Sequence, residues 1–300
     1  MSEARKGVLA MVAVCTIWGL SPILYKALAH VPPPQVLAHR TLWSLAFFLT
    51  VLAVQGRLMQ LPRLLASRAV PAIGLAALMI SANWFGFIWS IQAGRAIEAS
   101  LGYYIFPLVA VMIGLVAFRE ALSAAQWAAV ALAVLAVLVL SVGLGAPPWI
   151  ALFLAGTFGT YGLLKRRVAA GPLLSVAAEV ALLAPVAAIW LWGVHGGRWG
   201  SGAAFGDSIR DTILLVFSGV VTGLPLMLFS YATKRVRMAT VGLVQYLNPT
   251  LQFAVAALVF AEPVTRWHLI AFPMIWAALA IYSFAVLRSE RRRRALPVAG

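Results

Sequence analysis

The sequence predicts an all-α integral membrane protein with ten transmembrane helices, built as two inverted five-helix repeats. Three observations predict it. First, 63% of the 300 residues are hydrophobic and only 10% are charged, with a mean hydropathy of +0.96. A soluble domain carries about 25% charged residues, so this chain cannot build an aqueous surface. Second, ten apolar runs are each close to the ~20 residues that a helix needs to cross a ~30 Å hydrocarbon core. They cover residues 7–29, 34–55, 69–92, 97–117, 124–143, 148–168, 172–193, 210–231, 239–260 and 266–287. Third, LGYYIFPLVAVMIGLVAFREALSAAQ at 101–126 returns 142 positions later as LVQYLNPTLQFAVAALVFAEPVTRWH at 243–268. Leu101 meets Leu243, Tyr104 meets Tyr246, Pro107 meets Pro249, Phe118 meets Phe260 and Glu120 meets Glu262.

The runs do not alternate as barrel strands would, and a backbone in lipid must satisfy its hydrogen bonds internally, so they read as helices. Seventeen Lys and Arg residues fall in the loops and tails of one side and four on the other. This places both termini in the cytoplasm. It also explains the net charge of +15 as a topology signal, with no nucleic-acid partner implied. Five spans per half is an odd number, so the second half enters the membrane upside down, which is a transporter signature. The halves are residues 1–145 and 146–290, joined in the Gly143–Pro148 loop, and 291–300 form a basic tail suited to an anionic leaflet. The first run is span-length without a convincing cleavage site and reads as a retained helix. Cys15, the single cysteine, can form no intrachain disulfide and reads as packing. The Gly-rich stretch His195–Asp211 reads as a mobile extracytoplasmic linker.

Polar groups inside spans are costly and face interiors or water paths. Arg40 lies about 9 Å inside span two beside His39, and either snorkels or serves a substrate. Lys26, near the outer end of span one, fits snorkelling better. Glu179 is the acidic residue set well within a span, about 10 Å deep. It is either a proton-coupling site or the structural partner of a cation, and Glu98 is a second coupling candidate. Around the helix-breaking Pro107 and Pro249 sit Ser100, Tyr103 and Tyr104 in one half and Gln245, Tyr246 and Asn248 in the other. Carbonyls freed by proline can line a cavity. Span three adds Asn83 and Trp84, the latter too deep for an interfacial belt. An aromatic and amide lining fits an amphipathic or aromatic solute better than a naked ion. Ser123–Gln126 reads as a capping box for span five and Thr265 as a cap for span ten. Glu120 and Glu262 read as solvated turn residues. There is no P-loop, no H-E-x-x-H and no His/Cys cluster, so no enzyme, metal or cofactor is predicted.

AHRTLWS at 38–44, ANWFGFIWSIQ at 82–92, IEASLGYYIFPL at 97–108, GTYGLLKRR at 159–167 and VQYLNPTL at 244–251 resemble the RarD branch of the EamA group, in the drug/metabolite transporter superfamily. The motifs fall in order across both halves. The resemblance implies ten helices in inverted halves, a bacterial inner-membrane location, and export or permeation of small organic solutes. RarD proteins are commonly labelled by chloramphenicol sensitivity, a phenotype more than a substrate. Phe106 departs from a motif that often has Asn before the proline, so the two halves would differ there. The expected function is a secondary transporter of a small organic metabolite or drug working by alternating access. Its expected partners are that solute and the lipid bilayer. The alternatives are a non-transporting membrane component, such as a sensor or partner subunit, and a lipid-linked-substrate flippase. The oligomeric state is not legible.

Overall fold

The computed structural model describes residues 2–118, 122–145, 147–165, 167–199, 202–236 and 238–295. Glu120, with Arg119, Arg166 and Arg237, lies outside the described residues, as do 200–201 and the end of the tail at 296–300. Among the described residues there is no β-strand.

The helices are α1 (Glu3–Ala27), α2 (Pro33–Val54), α3 (Gln60–Leu65), α4 (Val70–Gln92), α5 (Ala96–Phe118), α6 (Ala124–Leu144), α7 (Trp149–Lys165), α8 (Pro172–His195), α9 (Ile209–Thr233), α10 (Met238–Gln245), α11 (Leu247–Ala254) and α12 (Arg266–Ala295). Proline opens α2 and α8, where its missing N–H is no loss. The predicted capping box at Ser123 and Gln126 opens α6, and Gly145 closes that helix at φ +68°, a conformation that glycine adopts freely. Thr265 caps α12 in a variant form: its backbone N–H donates to His268 Nδ1 at 3.1 Å. The basic tail continues α12 as helix through Ala295.

Seven of these helices are long and apolar enough to cross a membrane: α1, α2, α4, α6, α8, α9 and α12 over Arg266–Ala285. This is a multi-pass membrane protein. The run at 239–260 is broken. The helix stops at Gln245, resumes at Leu247 and ends in a π-helical turn over Val255–Val259. Pro249 has no N–H to give the Gln245 carbonyl, and the break falls there. Pro107 sits within an unbroken α5, so the two prolines act unequally.

Helix α2 packs on α8 and α9; α1 on α9, α10 and α11; α4 on α7 and α8; α5 on α7 and α11; and α6 on α12. Two glycines set crossing distances. A Cβ on Gly219 of α9 would stand 2.5 Å from the backbone carbon of Trp43, and one on Gly102 of α5 would stand 2.9 Å from the Ala151 carbonyl of α7. Backbone cannot move aside as a flexible side chain can. Gly219→Val is therefore expected to destabilise by at least ~2 kcal/mol, read as a lowered Tm and lost monodispersity in detergent.

Two outer connections are pinned to the bundle. Gln92 Nε2 donates to the Leu28 and Val31 carbonyls at 2.9 and 3.1 Å, tying the α1–α2 turn to α4. The stretch expected to be a mobile linker makes defined contacts at Trp199, Gly202 and Phe205. Trp199 Nε1 bonds the Trp190 carbonyl at 3.0 Å, Gln35 bonds the Gly202 carbonyl at 2.7 Å, and Phe205 stacks on His39 at 4.9 Å. Its aromatic residues, the exposed Trp199 and the half-buried Phe205, pack against Trp190 of α8 and against His39 and Trp43 of α2.

Glu262 corrects the solvated-turn expectation. Its two oxygens accept from the Ala96 and Ile97 N–H groups at 2.8 and 2.9 Å, so a carboxylate from the turn before α12 caps α5. Free helix N–H groups and the positive end of the helix dipole both favour an anion there. Glu262→Ala is expected to lower unfolding free energy by about 2 kcal/mol, checked by thermal melts in detergent with Glu262→Gln falling between. Midway along α1 Cys15, fully buried, sends Sγ–H toward the Val244 carbonyl of α10 at 3.4 Å.

Candidate functional site

A cavity of about 380 Å³ lies between the helices, lined from α1, α2, α4, α5, α7, α8, α9, α10, α11 and α12. It runs from Tyr25 and Arg40 toward Gly242 and Ser283, near the end of the bundle that carries both chain termini.

Arg40 stands at its inner end, 6% exposed. Nε donates to Thr222 Oγ1 at 2.8 Å, and that hydroxyl donates onward to the Ser218 carbonyl at 2.9 Å. The guanidinium carbon lies 4.1 Å from the ring centroid of Trp84 and 5.6 Å from that of Tyr25. Aromatic faces attract a cation and hold the fork in one plane. Among the described residues no carboxylate pairs with it, and neither terminal nitrogen has a hydrogen-bond partner. The Tyr25 hydroxyl beside it is buried and unpartnered.

Asn83 lines the cavity but is fully engaged. Its Nδ2 donates to the Leu154 carbonyl and Thr157 Oγ1, and its Oδ1 accepts from Tyr103 at 2.9 Å. It therefore locks α4 to α7 and aims Tyr103. Gln245, Tyr246, Asn248 and Pro249 face the cavity from the broken segment, opposite Phe106 and Pro107 of α5. Phe106, in place of the expected amide, packs edge-on against Phe158 at 4.9 Å and makes that wall apolar. Gln252 donates to Asn248 Oδ1 at 3.0 Å while its own Oε1 is buried without a partner.

Three candidates fall elsewhere. His39 neighbours Arg40 in sequence, but consecutive helical residues are turned about 100° apart. It lies instead in an outer groove with Leu42, Trp43, Leu191 and Phe205. The Tyr104 hydroxyl shares a hydrogen bond with Thr250 at 2.8 Å, and its ring packs on Phe272; it joins α5 to α11 and α12 outside the lining. Glu98 pairs with Arg95 at 2.6 Å, away from the cavity.

Glu179 is fully buried and adjoins the cavity through one residue. Oε1 accepts from Lys165 Nζ at 2.6 Å and from Ser175, and Oε2 accepts from the hydroxyl of Tyr161, a lining residue, at 3.0 Å. Of the two readings open in the sequence, the structure supplies the cation partner. Tyr25, Thr222, Gln252 and Tyr161 were not singled out from sequence. Gln252 had a signal, four residues after Asn248 on the same helix face. Thr222 had none, since threonine is common in spans.

A family model described as the EamA-like transporter family matches residues 5–142. The chain is 41% identical over 298 residues to "Protein RarD" of Streptomyces exfoliatus, covering 98% of this chain and 93% of that one. It is 36% identical over 297 residues to an "Uncharacterized transporter" of Vibrio cholerae, covering 97% and 96%. A solved crystal structure, 19% identical, matches 93% of this chain and 98% of its own with a TM-score of 0.60, a likeness of fold alone.

Proposed function

We propose, from the premise that this chain belongs to the EamA-like transporter family and to its RarD group, that it is a secondary transporter of a small organic solute. It works by alternating access between two inverted halves of five crossings each, in a bacterial inner membrane with both termini cytoplasmic. The observation that carries this is the cavity, lined from both halves around the buried Arg40.

The packing supports the inverted halves. If α1, α2, α4, α5 and α6 are exchanged for their repeat mates α7, α8, α9, α10–α11 and α12, α1 on α9 becomes α7 on α4. Likewise α2 on α9 becomes α8 on α4, and α5 on α7 becomes α10–α11 on α1, all of them contacts that occur. The remaining main contacts, α2 on α8, α6 on α12 and α5 on α11, pair mates with each other. A two-fold axis in the membrane plane produces this pattern.

The cavity's direction supports a state open toward the cytoplasm. Its other end is closed by buried Tyr25 and Leu28 and by the bonds from Gln92 and Glu262. Of the two coupling candidates, Glu179 is the one in hydrogen-bond contact with a lining residue, so we place proton coupling there.

Proteoliposome flux of labelled chloramphenicol and a panel of amino acids and aromatic acids, with and without an imposed pH gradient, tests the reading. Saturable flux supports it, and accumulation driven by the gradient supports coupling. No flux of any solute from well-folded protein would sink it.

A further inference from the structure

We infer that the solute is an organic anion, with a carboxylate on an aromatic or apolar body, and that Arg40 binds the carboxylate end-on. This rests on the transport reading and names the substrate class of the same cavity.

The lining holds one formal charge, that of Arg40, and no Asp or Glu among the described residues. The nearby carboxylate of Glu179 is already matched by Lys165 and is screened from the cavity by Tyr161, so the local field on a solute is positive. A buried guanidinium without a counter-ion is costly, and an anion arriving from the cavity relieves that cost where a neutral solute cannot. With Nε held by Thr222, the two terminal nitrogens form the fork that matches the two oxygens of a carboxylate. Trp84 and Tyr25 hold the plane of that fork.

The rest of the solute meets a different surface. Trp18, Phe87, Phe106 and Phe158 form apolar walls suited to a ring. A volume of about 380 Å³ is in the range that holds a one- or two-ring molecule. An inorganic anion would leave those walls unfilled, and a cation would meet Arg40 with nothing to offset it.

Matched pairs that differ only in charge test this: benzoylglycine against benzoylglycinamide, and two further aromatic acids against their amides. Binding is read by calorimetry on purified full-length protein, and counterflow is read in proteoliposomes. Wild type is expected to favour the acid of at least one pair by tenfold or more. Arg40→Gln should erase that preference, and Arg40→Lys, which keeps charge but not the planar fork, should keep part of it. Amides bound or carried as well as their acids would overturn the inference while leaving a working transporter. Binding of no member of any pair, by protein that still carries chloramphenicol or an amino acid, would also overturn it. A folded protein that carries nothing defeats the transport reading and this inference together. Should Arg40→Gln fail to fold, the acid preference of wild type and Arg40→Lys still decides.

Discussion

Flux through Arg40→Ala is expected to fall by at least ~100-fold, with the protein still folded and monodisperse in detergent. The reasoning starts from what the side chain lacks. Its one hydrogen bond is to Thr222, and that hydroxyl keeps its own bond to the Ser218 carbonyl when the guanidinium is gone. Removal leaves no buried group newly orphaned and lifts the cost of an unpaired internal cation. The folded state should hold or gain stability. The loss appears only when substrate is present, because a charge-assisted pair is worth about 3 kcal/mol in a dry site, which is over 100-fold in affinity. Initial rates in proteoliposomes at matched protein density measure it. Wild-type flux in the variant would remove Arg40 from the path.

The second large effect concerns the pair beneath the cavity wall. Lys165→Met strands a fully buried Glu179 and is expected to cost about 3 kcal/mol, the low end for breaking a buried pair, since Lys165 is itself 22% exposed. Pairing it with Glu179→Gln should restore most of that stability, because no unmatched charge remains. Glu179→Gln alone can still meet the Tyr161 and Ser175 hydroxyls, and it removes the ionisable group. In that variant, accumulation driven by a pH gradient should vanish while solute exchange persists. Thermal melts of the three variants and the two flux modes of Glu179→Gln are the measurements. Gradient-driven accumulation at wild-type levels in Glu179→Gln would place coupling elsewhere.

What the sequence shows well is whatever depends on composition and period. The apolar runs mark where the helices lie, and Ser123 marks a start that the structure keeps. Arg40 and Trp84 stand out because lipid tolerates neither a charge nor a deep indole without cause. What it hides is rotation and partnership. His39 and Arg40 are adjacent letters, yet the helix turns them to different surfaces. Tyr103 and Tyr104 part in the same way, one to the cavity and one to Thr250. Glu262 looks like a turn residue because its ligands, the N–H groups of Ala96 and Ile97, are 166 and 165 positions away and carry no side-chain signature. The repeat itself misleads in one respect. It equates Pro107 with Pro249, while the helix breaks only at the second.

The thiol tucked between α1 and α10 has a practical use. It is the chain's sole cysteine, carried on α1 with its sulfur against the Val244 carbonyl of α10. Because it is fully buried, a maleimide is expected to reach it only when α1 and α10 separate. On the proposed transport cycle, the labelling rate with and without solute should report that separation without an engineered probe.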